Sequence, residues 1–160
     1  MPLGTQYDER HFVEELGLQF ARMGQPRMMG RMLAWLLVCE PPEQPAAAIG
    51  RALKASKATV STMSRALQSQ GLVERVAVPG DRRAHLRARP QGWAALVRAE
   101  LRPLIEMSAI LERASGHAAT AVPTRAAALR EIHGLHAYLA EELPGLLTRW
   151  EARKGASCRC

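Results

Sequence analysis

The chain has 160 residues, of which 48% are hydrophobic, so it can form one domain of ordinary size, or a small module with an added oligomerisation arm, around a packed core and is not disordered throughout. The net charge is +7, and the longest apolar run, 32–39, is too short to span a bilayer. Acids and a histidine near the N-terminus do not fit a secretory signal, and three cysteines without disulfide spacing suit a reducing compartment, so we expect a cytoplasmic protein.

Two helices are predicted in the first quarter of the chain. Apolar side chains recur every three or four residues between 8 and 23, which indicates an amphipathic helix that ends at Gly24. Pro26 favours the first turn of a second helix over about 26–40. The proline-containing segment 40–44 is predicted to be a rigid connection.

Two further helices joined by a tight turn are predicted between Pro45 and residue 70. Pro45 suits the first position of a short helix, and residues 54–55 form the turn. Ser56 is a good N-cap for the helix 57–70, because its hydroxyl can accept a hydrogen bond from a backbone N–H. The inner apolar stripe of that helix is Val60, Met63 and Leu67. Helical angles place on its outward face Ala58, Ser61, Thr62, Arg65 and Ser69.

An arginine-rich β-hairpin is predicted directly after this pair of helices. Gly71 ends the helix, 73–78 form the first strand, 79–81 the turn, and 84–89 the second strand. Asp81 is interpreted as a turn-former and a partner of Arg83, since a carboxylate there would repel phosphate. Alternation along the second strand places on one side Ala84, Leu86 and Ala88, and on the other a row of donors, Arg83, His85, Arg87 and Arg89.

The pattern beyond residue 90 is helical again. A heptad-like stripe between 97 and 111 indicates a helix that needs a packing partner, and it is followed by a loop predicted at 115–123. A final long helix contains Pro144-Gly145, which is expected to break or kink it. The tail 153–160 is basic and rich in small residues, and it is predicted to be disordered.

The positive charge is concentrated in one part of the chain. Residues 51–89 contain nine Lys or Arg against two acids, whereas the rest of the chain contains 13 of each. Such a patch indicates a polyanionic partner, of which nucleic acid is the commonest. No aromatic residue lies in this segment to stack on single-stranded bases, so binding to a duplex is favoured.

The order of helix, turn, helix and basic hairpin predicts a winged helix-turn-helix that binds double-stranded DNA. The helix 57–70 fits a major groove, where Arg65 can pair with a guanine and where Ser61 and Thr62 can bond to bases or phosphates. Side chains before and at the start of this helix are expected to contact phosphates, and Arg82 and Arg83 can enter a minor groove. The predicted DNA-binding residues are Lys54, Ser56, Lys57, Ala58, Thr59, Ser61, Thr62, Arg65, Arg82, Arg83 and Arg87.

These residues also resemble a known family. The segments Phe12-Val13-Glu14-Glu15, Gly24-Gln25-Pro26-Arg27 and Gly30-Arg31 look like the GbsR branch of the MarR superfamily. The segments Ser56-Lys57-Ala58-Thr59-Val60-Ser61, Gly71-Leu72-Val73-Glu74-Arg75 and Asp81-Arg82-Arg83 look like the recognition helix and wing of that superfamily. One departure follows the wing, where a capping threonine usually stands two residues before a glycine. This chain has Arg89 and Pro90 before Gly92 instead.

The resemblance covers residues 8–150 and implies a mainly helical fold with a small β-hairpin wing. It implies a homodimeric transcriptional regulator, more often a repressor, in which the terminal helices form the dimer. Residues 8–44 would then support dimerisation, 45–90 would bind DNA, and 91–152 would complete the dimer. A small-molecule effector pocket between the DNA-binding module and the dimer helices is also typical of such proteins.

Other functions stay open at this level. A winged helix can serve as an architectural or protein-interaction module without sequence specificity, and Cys39 can make a regulator sensitive to thiol oxidation. His133 and His136 have ligand-like spacing without a third ligand nearby, so we expect neither a metal nor another cofactor. The chain shows no nucleophile–base pair, phosphate-binding glycine loop or carboxylate pair, so we do not expect an enzyme.

Overall fold

The computed structural model describes residues 8–118 and 123–157, and the chain divides after Trp93 into two compact units. The elements in chain order are α1 (Glu9–Arg22), α2 (Arg27–Val38), β1 (Gln44–Pro45), α3 (Ala46–Leu53), α4 (Lys57–Ser69), β2 (Val73–Val78), β3 (Asp81–Ala88), a 3-10 turn (Pro90–Gly92), α5 (Trp93–Ala118) and α6 (Pro123–Ser157). The predicted class, mainly helical with a small antiparallel sheet, is confirmed.

The helix ends of the first unit follow the local signals in the sequence. Asp8 caps α1 by accepting a hydrogen bond from the backbone N–H of Arg10, and Ser56 caps α4 by accepting one from Thr59 at 3.1 Å. Gly24 and Gly71 adopt the left-handed backbone conformation after α1 and α4, with φ of 75° and 72°.

The sheet contains a strand that the sequence did not predict. Its order is β1-β3-β2, and all pairs are antiparallel. Gln44 pairs with Leu86 and Pro45 with His85, so the predicted rigid connection ends in a strand and Pro45 stands one residue before α3. The predicted hairpin is present, but β3 begins at Asp81 rather than at residue 84.

The core of the first unit lies between α1, α2, α3, α4 and the sheet. α1 and α2 approach closely at Gly30, where a Cβ would collide with the carbonyl oxygen of Leu16 and the ring of Phe20. Full burial of each large apolar side chain contributes roughly 1.5–3 kcal/mol to the free energy of unfolding. The largest fully buried side chains are Phe20, Met29, Met32, Leu33, Ile49, Val60, Leu67 and Leu72.

Arg31 connects three helices of this unit. From α2 it donates to the carboxylate of Glu14 on α1 at 2.8 Å and to the carbonyl oxygen of Leu53, the last residue of α3, at 3.3 Å. Burial by itself raises the pKa of Glu14, but the hydrogen bond from Arg27 and the charge of Arg31 outweigh it, so the pKa is lower than usual. Glu14 therefore stays ionised between two arginines.

The segment that joins the β2–β3 hairpin to α5 lacks the capping threonine found in the family that the sequence resembles. Arg89 provides no side-chain cap, and the 3-10 turn precedes α5 instead. Gly92 lies directly against the backbone of Gly71 and Leu72, and the backbone N–H of Arg89 donates to the carbonyl oxygen of Leu72 at 2.7 Å. These backbone contacts hold the end of β3 in place without a capping threonine.

The second unit consists of α5 beyond Trp93 and α6, and it corrects three predictions. α5 continues to Ala118, so the predicted loop is helical over 115–118, while 119–122 lie outside the described residues. α6 runs unbroken through Pro144, where the loss of one backbone donor does not end the helix. It extends to Ser157 because Ala, Arg and Lys are good helix formers, so the disorder predicted for the tail is wrong over 153–157. Residues 158–160 lie outside the described part.

Candidate nucleic-acid interface

The outward face of α4 is polar and accessible. Ser61, Thr62 and Arg65 are exposed, while Val60 and Leu67 are buried in the core. Ala58 is exposed beside them. The side chains predicted to read bases therefore do not pack against the interior of the first unit.

The inner face of α4 differs at one position from the predicted stripe. Met63 is only half-buried, and Ser64 is buried in its place. The hydroxyl of Ser64 donates to the backbone carbonyl oxygen of Ser61 at 3.0 Å, which satisfies this polar group inside the protein. The core tolerates a serine here because the helix supplies its partner.

Two lysines that form no salt bridge with any described residue flank the N-cap of α4, one in the turn before the helix and one at its first residue. Lys54 has a left-handed backbone, with φ of 53°, and its side chain and that of Lys57 are exposed. The hydroxyls of Ser56 and Thr59 lie 2.8 Å apart, and Thr59 is half-buried. The two lysines are therefore open to a ligand, whereas the two hydroxyls already bond to each other, and that of Ser56 also accepts from the backbone N–H of Thr59.

Asp81 fixes Arg83 at the start of β3. The guanidinium donates to both carboxylate oxygens, with Nε 2.9 Å from Oδ1 and Nη2 2.6 Å from Oδ2. The hydrogen bonds from Arg83 lower the pKa of Asp81 well below its usual range, and the same bonds raise the pKa of Arg83. The predicted partnership of these residues is present, and it sets the orientation of the guanidinium.

Arg87 lies in a network of acids. It faces Glu74 across the strand pair and donates to it at 2.7 Å, and it also donates to Glu43 at 3.2 Å. The hydrogen bonds with Glu74 and then Glu43 raise the pKa of Arg87. Arg89 lies 3.8 Å from Glu74. Neighbouring carboxylates thus partly neutralise Arg83, Arg87 and Arg89 in or beside the wing, which comprises β2, β3 and the turn between them.

The sequence predicted that His85 belongs to the exposed row of donors, and this prediction is wrong. His85 is 6% exposed, because the unpredicted strand β1 pairs alongside it at Pro45. Its Nδ1 lies 3.0 Å from the carbonyl oxygen of Arg83 and its Nε2 3.4 Å from Asp81. His85 therefore supports the wing from within.

The cations without an acidic partner lie mainly on the helix-turn-helix. Within the described ranges, the basic residues of 51–89 that form no salt bridge are Arg51, Lys54, Lys57, Arg65, Arg75 and Arg82. An unpaired cation is available to a phosphate without first losing an internal partner. The free positive charge is therefore greatest on α3, the turn, α4 and the tip of the wing.

A cleft of about 760 Å³ lies between α3, the turn, the start of α4 and β3. It brings together three predicted contact residues, Lys54, Lys57 and Arg83, and adds Arg51 from α3. Arg51 belongs to the basic patch of the sequence, but no contact was predicted for its side chain. Only the fold places this side chain beside the other three, although its position in the first helix of the pair was a usable signal.

Cys39 lacks the properties of a thiol sensor. It is 6% exposed, and burial raises its pKa, with nearby Glu40 and Glu43 acting in the same direction. Arg31, the cation that could have activated it, is bonded to Glu14 instead. Cys158 and Cys160 lie outside the described residues.

The structure gives no candidate for a metal centre or a membrane span in its described part. Across residues 8–118 and 123–157, no three His, Cys, Asp or Glu side chains come together in a group that could hold a metal ion. No helix in these ranges combines the length and low polarity needed to cross a bilayer.

Comparisons with known proteins agree with this geometry. The sequence pattern of the MarR family matches residues 33–85, and that of MmpR5-like MarR family transcriptional regulators matches residues 91–153. The HTH-type transcriptional regulator MmpR5 of Mycobacterium tuberculosis is 37% identical over 153 residues, covering 96% of this chain and 93% of that protein. A crystal structure of a transcriptional regulator has 36% identity and a TM-score of 0.64, covering 91% of this chain and 99% of that one.

Proposed function

Because this chain belongs to the MarR family of winged-helix transcriptional regulators and is similar to its MmpR5-like members, we propose that it is a repressor that binds a defined duplex sequence. The observation that carries the proposal is the exposed polar face of α4, which lies beside the unpaired cations of α3 and the turn. A major groove about 12 Å wide accepts one such helix.

The proposed contacts divide into two kinds. Arg65 reads a guanine from the middle of α4, with Ser61 and Thr62 beside it, because base edges are within reach only of its outward face. Lys54 and Lys57 hold phosphates and set the register of the helix without reading sequence.

The wing supplies the remaining contacts. Arg82 and Arg83 enter the adjacent minor groove, and the bond from Asp81 holds Arg83 ready in one orientation. Arg87 binds a backbone phosphate only by exchanging Glu74 or Glu43 for it, since both carboxylates offset its charge in the free protein.

A second copy of the chain completes the proposed regulator. Ile132, Leu135, Tyr138 and Leu146 on α6 are between 49% and 62% exposed, and helical angles place them within an arc of roughly 120°. An apolar face of this extent is best covered by another protein surface. A two-fold dimer would place two copies of α4 in successive major grooves, about 34–36 Å apart on a pseudo-palindromic operator.

The dimer is tested by sedimentation velocity. Leu135→Glu buries a carboxylate in the proposed interface and should give monomers at micromolar concentration. Arg130→Glu adds a carboxylate on the same helix outside that arc, and it should remain dimeric. A wild-type protein that sediments as a monomer contradicts the proposal.

Further parts of the proposal follow from the family. A small-molecule effector releases the repressor, the protein acts in the cytoplasm where its operator lies, and it has no catalytic activity. Assignment to the GbsR-like branch rests on the motifs 12–15, 24–27 and 30–31 alone and stays a proposal.

Selection of bound duplexes from a random pool tests the function most directly. We expect a pseudo-palindrome with half-sites one helical turn apart. With about four phosphates neutralised per subunit, the slope of log K against log salt should be near −7. Selection without enrichment would favour the architectural module, and an affinity independent of salt would contradict phosphate binding.

Two variants then separate the kinds of contact. Arg65→Ala should relax the preference at one base position in each half-site, at a cost of about 1–3 kcal/mol on the preferred sequence. Lys57→Ala should weaken binding to all sequences alike. An equal loss on every sequence for Arg65→Ala would move Arg65 to the phosphate-binding class.

A further inference from the structure

The cleft beside the turn is lined by two arginines in addition to the two lysines proposed above to bind phosphates. Arg51, Lys54, Lys57 and Arg83 all line it, and among the described residues no acidic side chain does. Arg83 is bonded to Asp81, whereas the other three cations form no salt bridge with any described residue. Three unpaired cations around one space repel each other, and one bound anion relieves that repulsion.

The uncharged residues that line the cleft have small side chains. Its other lining residues are Pro45, Ala46, Ala47, Gly50, Ala55 and Ala84. Side chains of this size leave the cleft open to a group that is itself several atoms wide. An apolar wall beside a cationic one suits a sugar joined to a phosphate better than it suits a bare ion.

The backbone adds to the positive potential of the cleft. Pro45 precedes α3 and forms no side-chain cap, while Lys57 opens the thirteen-residue helix α4. The beginnings of both helices therefore border the same space. Helix N-termini favour anions, because their first backbone N–H groups have no partner within the helix.

We propose that this cleft holds one phosphodiester group of the bound operator and its adjoining sugar, and that Arg51 contacts that phosphate directly. Lys54 and Lys57 share the same phosphate, so the three side chains act as one site. The proposal rests on the proposed function and deepens it by adding a contact from α3. The sugar lies against the alanines of the wall, and Arg83 stays with Asp81 at the far side.

A scan with uncharged phosphates tests the site. Methylphosphonate replaces one phosphate at a time in the selected operator, and binding is measured by fluorescence anisotropy with wild type and with Arg51→Gln. We expect one position in each half-site to weaken wild-type binding by about tenfold. Arg51→Gln should bind the unmodified operator about tenfold more weakly and lose part of the sensitivity at that same position, where Lys54 and Lys57 still contact the phosphate.

Matched variants separate loss of the contact from loss of charge. Arg51→Lys keeps the charge and should recover most of the affinity. Arg22→Gln removes one exposed charge from the end of α1, distant in sequence from the cleft, and should keep the full sensitivity of wild type. The salt slope of Arg51→Gln should fall in magnitude by less than about two for a dimer, because each neutralised phosphate contributes about 0.9 and Lys54 and Lys57 still face the shared one. Circular dichroism and thermal melting check that each variant is folded.

The outcomes distinguish this proposal from the proposed function. If Arg51→Gln binds the operator as tightly as wild type, or keeps full sensitivity at every phosphate, Arg51 does not contact the phosphate and the proposal fails. In that case the repressor assignment still stands on Arg65 and the selected sequence. If the wild-type protein selects no sequence at all, the proposed function itself fails.

Discussion

Gly92 occupies a position where the structure leaves no room for a side chain. A Cβ built there would lie 2.7 Å from the carbonyl carbon of Gly71 and 3.2 Å from the Cα of Leu72, whereas carbon atoms in contact are normally about 3.5–4.0 Å apart. Both neighbours are backbone atoms, so no side-chain rotation can relieve the overlap. The change Gly92→Ala must therefore displace the turn that joins α4 to β2, or the 3-10 turn that carries Gly92.

Two effects of opposite sign decide the stability of Gly92→Ala. Alanine restricts the unfolded chain more than glycine does, which stabilises the folded state by about 0.4–1 kcal/mol. Overpacking a filled site costs about 1–3 kcal/mol, and a contact with backbone belongs at the upper end of that range. The overlap therefore wins, and we expect the free energy of unfolding to fall by about 1–2.6 kcal/mol.

Urea denaturation followed by circular dichroism measures this loss. Gly116→Ala on α5 is the control, because a Cβ at Gly116 meets nothing within 4 Å, and it should leave stability unchanged or raise it by up to about 1 kcal/mol. Gly92→Ala should also weaken operator binding, since the displaced turn carries both α4 and β2. If Gly92→Ala is as stable as Gly116→Ala, a Cβ at position 92 does not collide with the backbone of Gly71 and Leu72.

Three further outcomes are expected. The bond that lowers the pKa of Asp81 stabilises the fold above the ordinary pKa of a carboxyl group, so the stability advantage over Asp81→Asn should shrink steadily as the pH falls from 5 towards 2; a pH-independent difference in urea midpoints would contradict this. Leu67→Ala should cost about 2–5 kcal/mol in urea unfolding, because Leu67 is fully buried. With Cys158 and Cys160 replaced by serine, Cys39 should react with a thiol reagent only after unfolding, and rapid reaction of the native protein would restore the thiol-sensor hypothesis.

Local signals in the sequence were sufficient to predict most helix boundaries. Ser56 and Gly71 act within one turn of the chain, and the structure confirms both ends of α4. The strand β1 escaped prediction because two residues have no period to detect, and their pairing with β3 joins positions about forty residues apart. The burial of His85 follows from that pairing, so the same missing information produced both errors.

The candidate site shows the same division between local and distant information. The count of charges in 51–89 identified the basic surface, and helical angles identified the outward face of α4. Which arginines are already paired depends on strand register, which sets Glu74 opposite Arg87. The position of Arg51 beside Lys57 depends on the packing of α3 against α4, which no spacing in the sequence specifies.

Arg31 has a consequence for regulation because one guanidinium group bonds to both α1 and the last residue of α3. A shift of α1 would disturb the hydrogen bond between Arg31 and Glu14. A rearrangement of the turn at Lys54 would disturb the bond between Arg31 and the carbonyl oxygen of Leu53. If these two movements are coupled through Arg31, the coupling is reciprocal: a ligand that shifts α1 and a ligand held at the turn would change each other's affinity by the same factor.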